Sequence, residues 1–160
     1  MAWVVNKRKQ EELRENLMKR NQYLAEKTQD KDILKMLLAM LYLGEGAKWK
    51  SHRGLHLGSS DPNIIRLYMK LLDACYDIKV GKFRGSICYR ADQNLGSLQK
   101  YWSGITGIPL RDFYPTKPDS RTVGKITKQK NYKGVCALTC AGTNIQLELE
   151  AIPKIILTGV

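Results

Sequence analysis

Between Ile33 and Leu43 the only charged residue is Lys35. A run this apolar, with no polar stripe at helical spacing, has to be covered on several sides. It therefore predicts a buried central helix. Asp30 or Asp32 suits the N-cap, and Gly44-Glu45-Gly46 ends the run with glycine supporting a sharp exit. The run falls well short of the ~20 residues a membrane-spanning helix needs, so no membrane role is expected. A chain of 160 residues holds one domain with a modest core more comfortably than two. With 43% hydrophobic residues to bury, it is not a wholly disordered chain.

The start of the chain points the same way. Met1-Ala2-Trp3-Val4-Val5 precede Lys7-Arg8-Lys9, the reverse of a signal peptide's order, so an intracellular protein is expected. Cys75, Cys88, Cys136 and Cys140 contain no CxxC pair. Reduced, partly buried thiols are the expected state, ahead of a zinc site.

The formal net charge is +12, which calls for a polyanionic partner. Its placement says more than its size. Residues 46–60 carry Lys48, Lys50 and Arg53 without an acid, and residues 79–133 carry twelve basic residues against Asp92, Asp112 and Asp119. Elsewhere acids and bases balance.

Hydrophobic periodicity places those two blocks on strands and loops. Residues 7–29 predict a solvated or amphipathic helix, an N-terminal extension over 1–30 ahead of a domain over 31–160. Alternation over 47–59, with Arg53-Gly54 at the bend, predicts a hairpin with one basic face. Ser60-Asp61-Pro62 opens a helix to about Tyr76. Residues 82–90 predict a strand, with Phe83, Ile87 and Tyr89 inward and Lys82, Arg84, Ser86, Cys88 and Arg90 outward. A helix over 94–105, a basic loop or excursion hairpin over 114–132, a strand over 133–141 and a helix from Thr143, interrupted or ended near Pro153, complete the chain. The class is α+β: an antiparallel sheet with helices over one face and Lys, Arg and His on the other. Glu148 and Glu150 are expected on a solvated face.

The segment Leu38-Ala39-Met40-Leu41-Tyr42-Leu43-Gly44-Glu45-Gly46 resembles the signature of the LAGLIDADG homing endonucleases, single-motif type. Ser59-Ser60-Asp61-Pro62-Asn63, Tyr101-Trp102-Ser103, Thr106-Gly107-Ile108-Pro109-Leu110 and Lys130-Asn131-Tyr132 follow in the order seen in bacterial and archaeal members. The likeness spans roughly residues 32–157. It departs at Met40, where the family usually has glycine, at Leu43, which replaces the first acid, and at Glu45, longer than the usual aspartate.

The resemblance implies a homodimer that cuts double-stranded DNA at specific sites, with the antiparallel sheet as a DNA-binding saddle. Leu37, Leu38, Ala39, Met40, Leu41 and Gly44 would meet the twin helix, with Ala39 and Gly44 small enough for close approach. Glu45, beside the Gly44 carbonyl, would hold Mg²⁺ or another divalent cation such as Mn²⁺, since both supply hard oxygen donors. A basic residue near the scissile phosphate would be Lys130. Lys48, Lys50, His52, Arg53, His56, Lys82, Arg84, Arg90, Arg121, Lys125, Lys128 and Lys133 are the candidate DNA contacts. Two other readings use the same fold: a DNA-binding transcriptional regulator that does not cut, and an RNA-binding maturase.

Overall fold

The computed structural model describes residues 2–47 and 53–159, with side chains from Asn6 onward. Its centre is the apolar run. This helix, α3 (Lys31–Glu45), follows α1 (Ala2–Asn21) and α2 (Leu24–Lys27). Of the two candidate caps Asp30 is the one used, its side chain accepting from the Asp32 N–H at 2.8 Å. Leu38, Ala39 and Tyr42 are buried where α3 packs on α4 (Pro62–Tyr76) and α6 (Thr143–Gly159). Burial on several sides is not what the fold delivers. Met36, Leu37, Met40 and Leu43 are 42–48% exposed, so half of an apolar helix faces outward.

The sheet under these helices has three strands among the described residues: β1 (Leu55–Ser59), β2 (Arg84–Cys88) and β3 (Val135–Cys140). Their order is β1-β3-β2 and both pairings are antiparallel, so the last strand in sequence is central. The two-residue period turns Leu55, Leu57, Ile87, Cys136, Leu138 and Cys140 toward the helices. Beyond β1, Gly46 bridges Leu57 and the Ala47 N–H donates to the His56 carbonyl at 2.9 Å. The chain thus enters β1 as a hairpin does. The predicted tip, with Trp49, lies outside the described residues.

The strand predicted over 82–90 pairs with β3 only from Arg84 to Cys88, because Val80–Lys82 closes a 3₁₀ turn. The free edge of β2 is covered by residues 113–119, running parallel to it. Tyr114 and Asp119 donate their N–H groups to the carbonyls of Gly85 and Tyr89, both at 2.8 Å, and the Thr116 hydroxyl donates to Ile87. The start of the predicted basic loop is therefore a protected sheet edge. Phe113 lies so close over β2 that a Cβ at Gly85 would meet its ring at 2.5 Å.

Two more helices follow their sequence signals. Asp61 caps α4 through the Asn63 N–H, and Asn94 caps α5 (Leu95–Thr106) through the Ser97 N–H. Trp102 of α5 is fully buried and its indole N–H donates to the Lys133 carbonyl at 2.8 Å, tying the basic loop's end to the core. The last helix does not break at Pro153 but runs to Gly159, at the cost of one backbone hydrogen bond. At the other terminus, the single helix expected over 7–29 divides at Gln22-Tyr23, and every described side chain from 6 to 30 that belongs to α1, α2 and their turns is exposed. No helix among the described residues is long and apolar enough to cross a membrane.

Candidate functional site

Glu45 is the last residue of α3 and its carboxylate is exposed, without a hydrogen bond or ion pair to any described residue. Chain exit is set next door: the Gly46 N–H donates to the Tyr42 carbonyl at 2.8 Å, and a Cβ at Gly46 would strike the Tyr42 ring. The last four carbonyls of a helix lack intrahelical partners, and the Gly44 carbonyl is among them. Carboxylate and carbonyl thus stand together at the negative end of the α3 dipole, where a cation is favoured. Both are hard oxygen donors, which fits Mg²⁺, but Mg²⁺ takes six ligands. No group of three or more His, Cys, Asp or Glu side chains able to hold a metal occurs among the described residues. One protomer's donors fit the ion in kind and fall short in number.

Leading up to Glu45 is the open side of α3. Met36, Leu37, Met40, Leu43 and Gly44 recur at helical spacing, and nothing lies within 4 Å of where a Gly44 Cβ would be. Of the expected interface residues, Leu37, Met40 and Gly44 are on this stripe. Leu38 and Ala39 are not: both are fully buried inside the protomer, so Ala39's small size serves packing within the chain. Leu41 is half-buried against the core. Met36 and Leu43 were missed, although each is four or three residues from Met40 and so shares its face.

The open face of the sheet differs from the expected basic one. Across the strands, Thr139 pairs with both His56 and Arg84, and Ala137 pairs with both Gly58 and Ser86. Val135 pairs with Cys88. One arginine is the whole Lys/Arg content of the three strands; the centre of the face is built of small residues and the cations stand at its margins. Arg84 is half-exposed, with Nη1 at 3.5 Å from Asp112 Oδ1 and donating to the Phe83 carbonyl. Lys82, moved off the ladder by the 3₁₀ turn, is exposed, as is Arg53 just before β1. His56 is half-buried with its backbone N–H on the Tyr42 hydroxyl at 3.5 Å. Lys48, Lys50 and His52 lie outside the described residues.

The remaining cations are gathered by two acids. Asp119 accepts from the Arg121 guanidinium at 2.8–3.2 Å and from its backbone N–H, which holds the Asp119 carboxyl down at about 2. Asp92 accepts from the Thr127 N–H and hydroxyl at 2.6 and 2.8 Å, and these bonds also lower its pKa. So pinned, the loop encloses an open cleft of about 770 Å³ lined by Arg90, Lys125, Lys128 and Tyr132. A second cleft of about 450 Å³ adjoins it, with Lys130, Lys133 and Tyr101 on its walls and the Lys133 ammonium 5.7 Å from the Tyr101 ring centre. Arg121 is turned to Asp119 instead. Tyr101 and Tyr132 were not singled out as contacts in the sequence; the signal was an aromatic residue beside each lysine cluster.

Glu148 and Glu150 are not a solvated pair. Glu148 accepts from Lys35 at 2.9 Å and from the Tyr76 hydroxyl at 3.0 Å, joining α3, α4 and α6. These bonds lower the Glu148 pKa, and the same hydrogen bond raises that of Lys35. Glu150 accepts from Gln146 Nε2 at 3.0 Å.

No protein family, curated protein or solved structure matches the chain.

Proposed function

We propose that this chain is a homodimeric, site-specific DNA endonuclease of the single-motif LAGLIDADG type, dependent on Mg²⁺ or a similar divalent cation. The observation that carries the reading is that the one open apolar stripe on α3 ends at Glu45. A second copy packed on that stripe would cover Met36, Leu37, Met40 and Leu43 and bring two Glu45 carboxylates together, supplying the donors that one protomer lacks. A divalent cation held there would act as a Lewis acid in phosphodiester hydrolysis.

The protein's own part is to hold and orient. Glu45 and the Gly44 carbonyl hold the cation; Lys130 is assigned to the scissile phosphate. The sheet's small central residues would admit the duplex close to the backbone, with Arg53, Arg84 and the loop lysines on phosphates and base edges either side. The doubled positive charge of a dimer would then face one polyanion.

Incubating the wild type and Glu45→Gln with a plasmid library and Mg²⁺ tests this. Linear product from the wild type, with binding but no cutting by Glu45→Gln, is expected. Tight duplex binding without cleavage by the wild type would instead leave the regulator, and preference for structured RNA over duplex at matched salt the maturase.

A further inference from the structure

The segment 48–53 holds Lys48, Lys50, His52 and Arg53 without an acid, and its two ends are fixed differently. On the incoming side backbone does the work, through the Ala47–His56 bond and the Gly46–Leu57 bridge. On the outgoing side a side chain does. The buried Gly54 N–H donates at 2.9 Å to Oε1 of Gln146, 92 positions further along the chain. Gly54 has φ +99°, and a Cβ there would meet the Cys140 carbonyl at 2.8 Å, so the corner admits only glycine.

Gln146 is 5% exposed on α6, a buried polar side chain between residues that pack on the core. Its orientation is dictated. The Glu150 carboxylate can only accept, so Nε2 faces Glu150 and Oε1 is left for Gly54. The sheet does not depend on this bond, because β1 is already held in register by Leu55–Cys140 and the pairs beyond it. What the amide adds is the direction in which the chain arrives at Gly54.

We infer that Gln146 is a positioning residue for nucleic-acid recognition: oriented by Glu150, it fixes the Arg53–Gly54 corner and thereby aims the basic segment 48–53 at the duplex. This rests on the DNA reading above. The arrangement gives a test that a purely structural role would not pass. Gln146→Leu removes the acceptor. Gln146→Glu keeps its shape but sets two carboxylates about 3 Å apart, which cannot both ionise. When one of them is protonated the donor to the other returns and the acceptor for Gly54 with it.

The other groups facing this position are Lys154 on α6, Tyr42 on α3, Cys140 on β3 and Arg53 at the corner. Burial pushes Tyr42 up and Cys140 to about 11, so neither titrates between pH 5 and 8. His52 and His56 do titrate in that range in every variant, so affinities are compared as variant-to-wild-type ratios at each pH.

The experiment is fluorescence anisotropy with a labelled mixed-sequence duplex of about 30 base pairs, over a salt series at pH 5 and pH 8, with melting curves for each protein. At pH 8 both variants are expected to bind about tenfold more weakly, with a salt slope smaller by about one phosphate contact. At pH 5 only Gln146→Glu recovers toward the wild type. Unchanged affinity and slope in Gln146→Leu, or losses that follow the folded fraction alone with no pH-dependent recovery, would overturn the role of Gln146. A wild type that binds no duplex at all would overturn the DNA reading together with it.

Discussion

Helices α1 and α3 are neighbours in sequence, and both leave apolar side chains in water, but in different ways. On α1, Leu13, Leu17 and Met18 stand among lysines, arginines and glutamates, as scattered surface hydrophobes commonly do. On α3, Met36, Leu37, Met40, Leu43 and Gly44 form one stripe with no charge between Lys35 and Glu45. A contiguous stripe of that kind marks a surface that another surface covers. The difference separates an extension that is solvated in its own right from a helix whose outer half awaits a partner.

Substitutions can break or sharpen this contrast. The largest effect is expected on the inner side of α3: Leu38→Ala should cost about 2–5 kcal/mol in chemical denaturation, since Leu38 is fully buried. Its neighbour Leu37→Ala, measured at concentrations where the protein is monomeric, should cost less than about 1 kcal/mol. Equal costs would erase the distinction between the two sides. On the outer side, Met40→Glu with Leu43→Glu should shift sedimentation from dimer to monomer and leave the monomer's melting curve unchanged.

A smaller effect with the opposite sign is expected on α4, which packs on the inner side of α3. The Tyr68 hydroxyl is buried, its ring stacked 6.3 Å from that of Tyr42, and it finds no hydrogen-bond partner among the described residues. Removing an unsatisfied buried hydroxyl relieves desolvation, so Tyr68→Phe should stabilise by about 1 kcal/mol. A loss of stability would mean the hydroxyl has a partner.

The acid limb of stability offers a further check. Glu148 has a lowered pKa, caused first by its bond from Lys35, so its contribution is present above the unfolded value of about 4.5 and is lost as pH falls through the lower folded value. Glu148→Gln should therefore destabilise at pH 7 and converge with the wild type at strongly acid pH. The smallest effect belongs to α1, where Leu13→Lys should stay within about 0.5 kcal/mol.

Much of this fold was legible from period and punctuation. Asp61-Pro62, Asn94 and the alternation around Phe83, Ile87 and Tyr89 mark element starts and inward faces because caps and pleats need those residues there. Where the sequence misled, a tertiary reason can be named. An all-apolar helix has no periodicity to say which side is covered, so Leu38 and Leu37 look alike until α4 and α6 are in place. Lys82 reads as an outward strand residue, yet the 3₁₀ turn that ends at it takes it off the ladder. Outward positions were read as a basic face, but only Arg84 among the strands' lysines and arginines occupies one, and strand order is not encoded in alternation. Glu45 was found by its place after the apolar run; the Gln146 contact, 92 residues from Gly54, leaves no local mark.

The account's central claim is that two copies pair through the open side of α3 and each contributes one Glu45 to a single duplex. Mixing wild-type and Glu45→Gln protomers, allowing exchange, and assaying supercoiled plasmid bearing a target site with Mg²⁺ tests it directly. Nicked circles that rise with the mixed-dimer fraction are the predicted result. Linear product that simply follows the amount of wild type, with no nicked species, would contradict it.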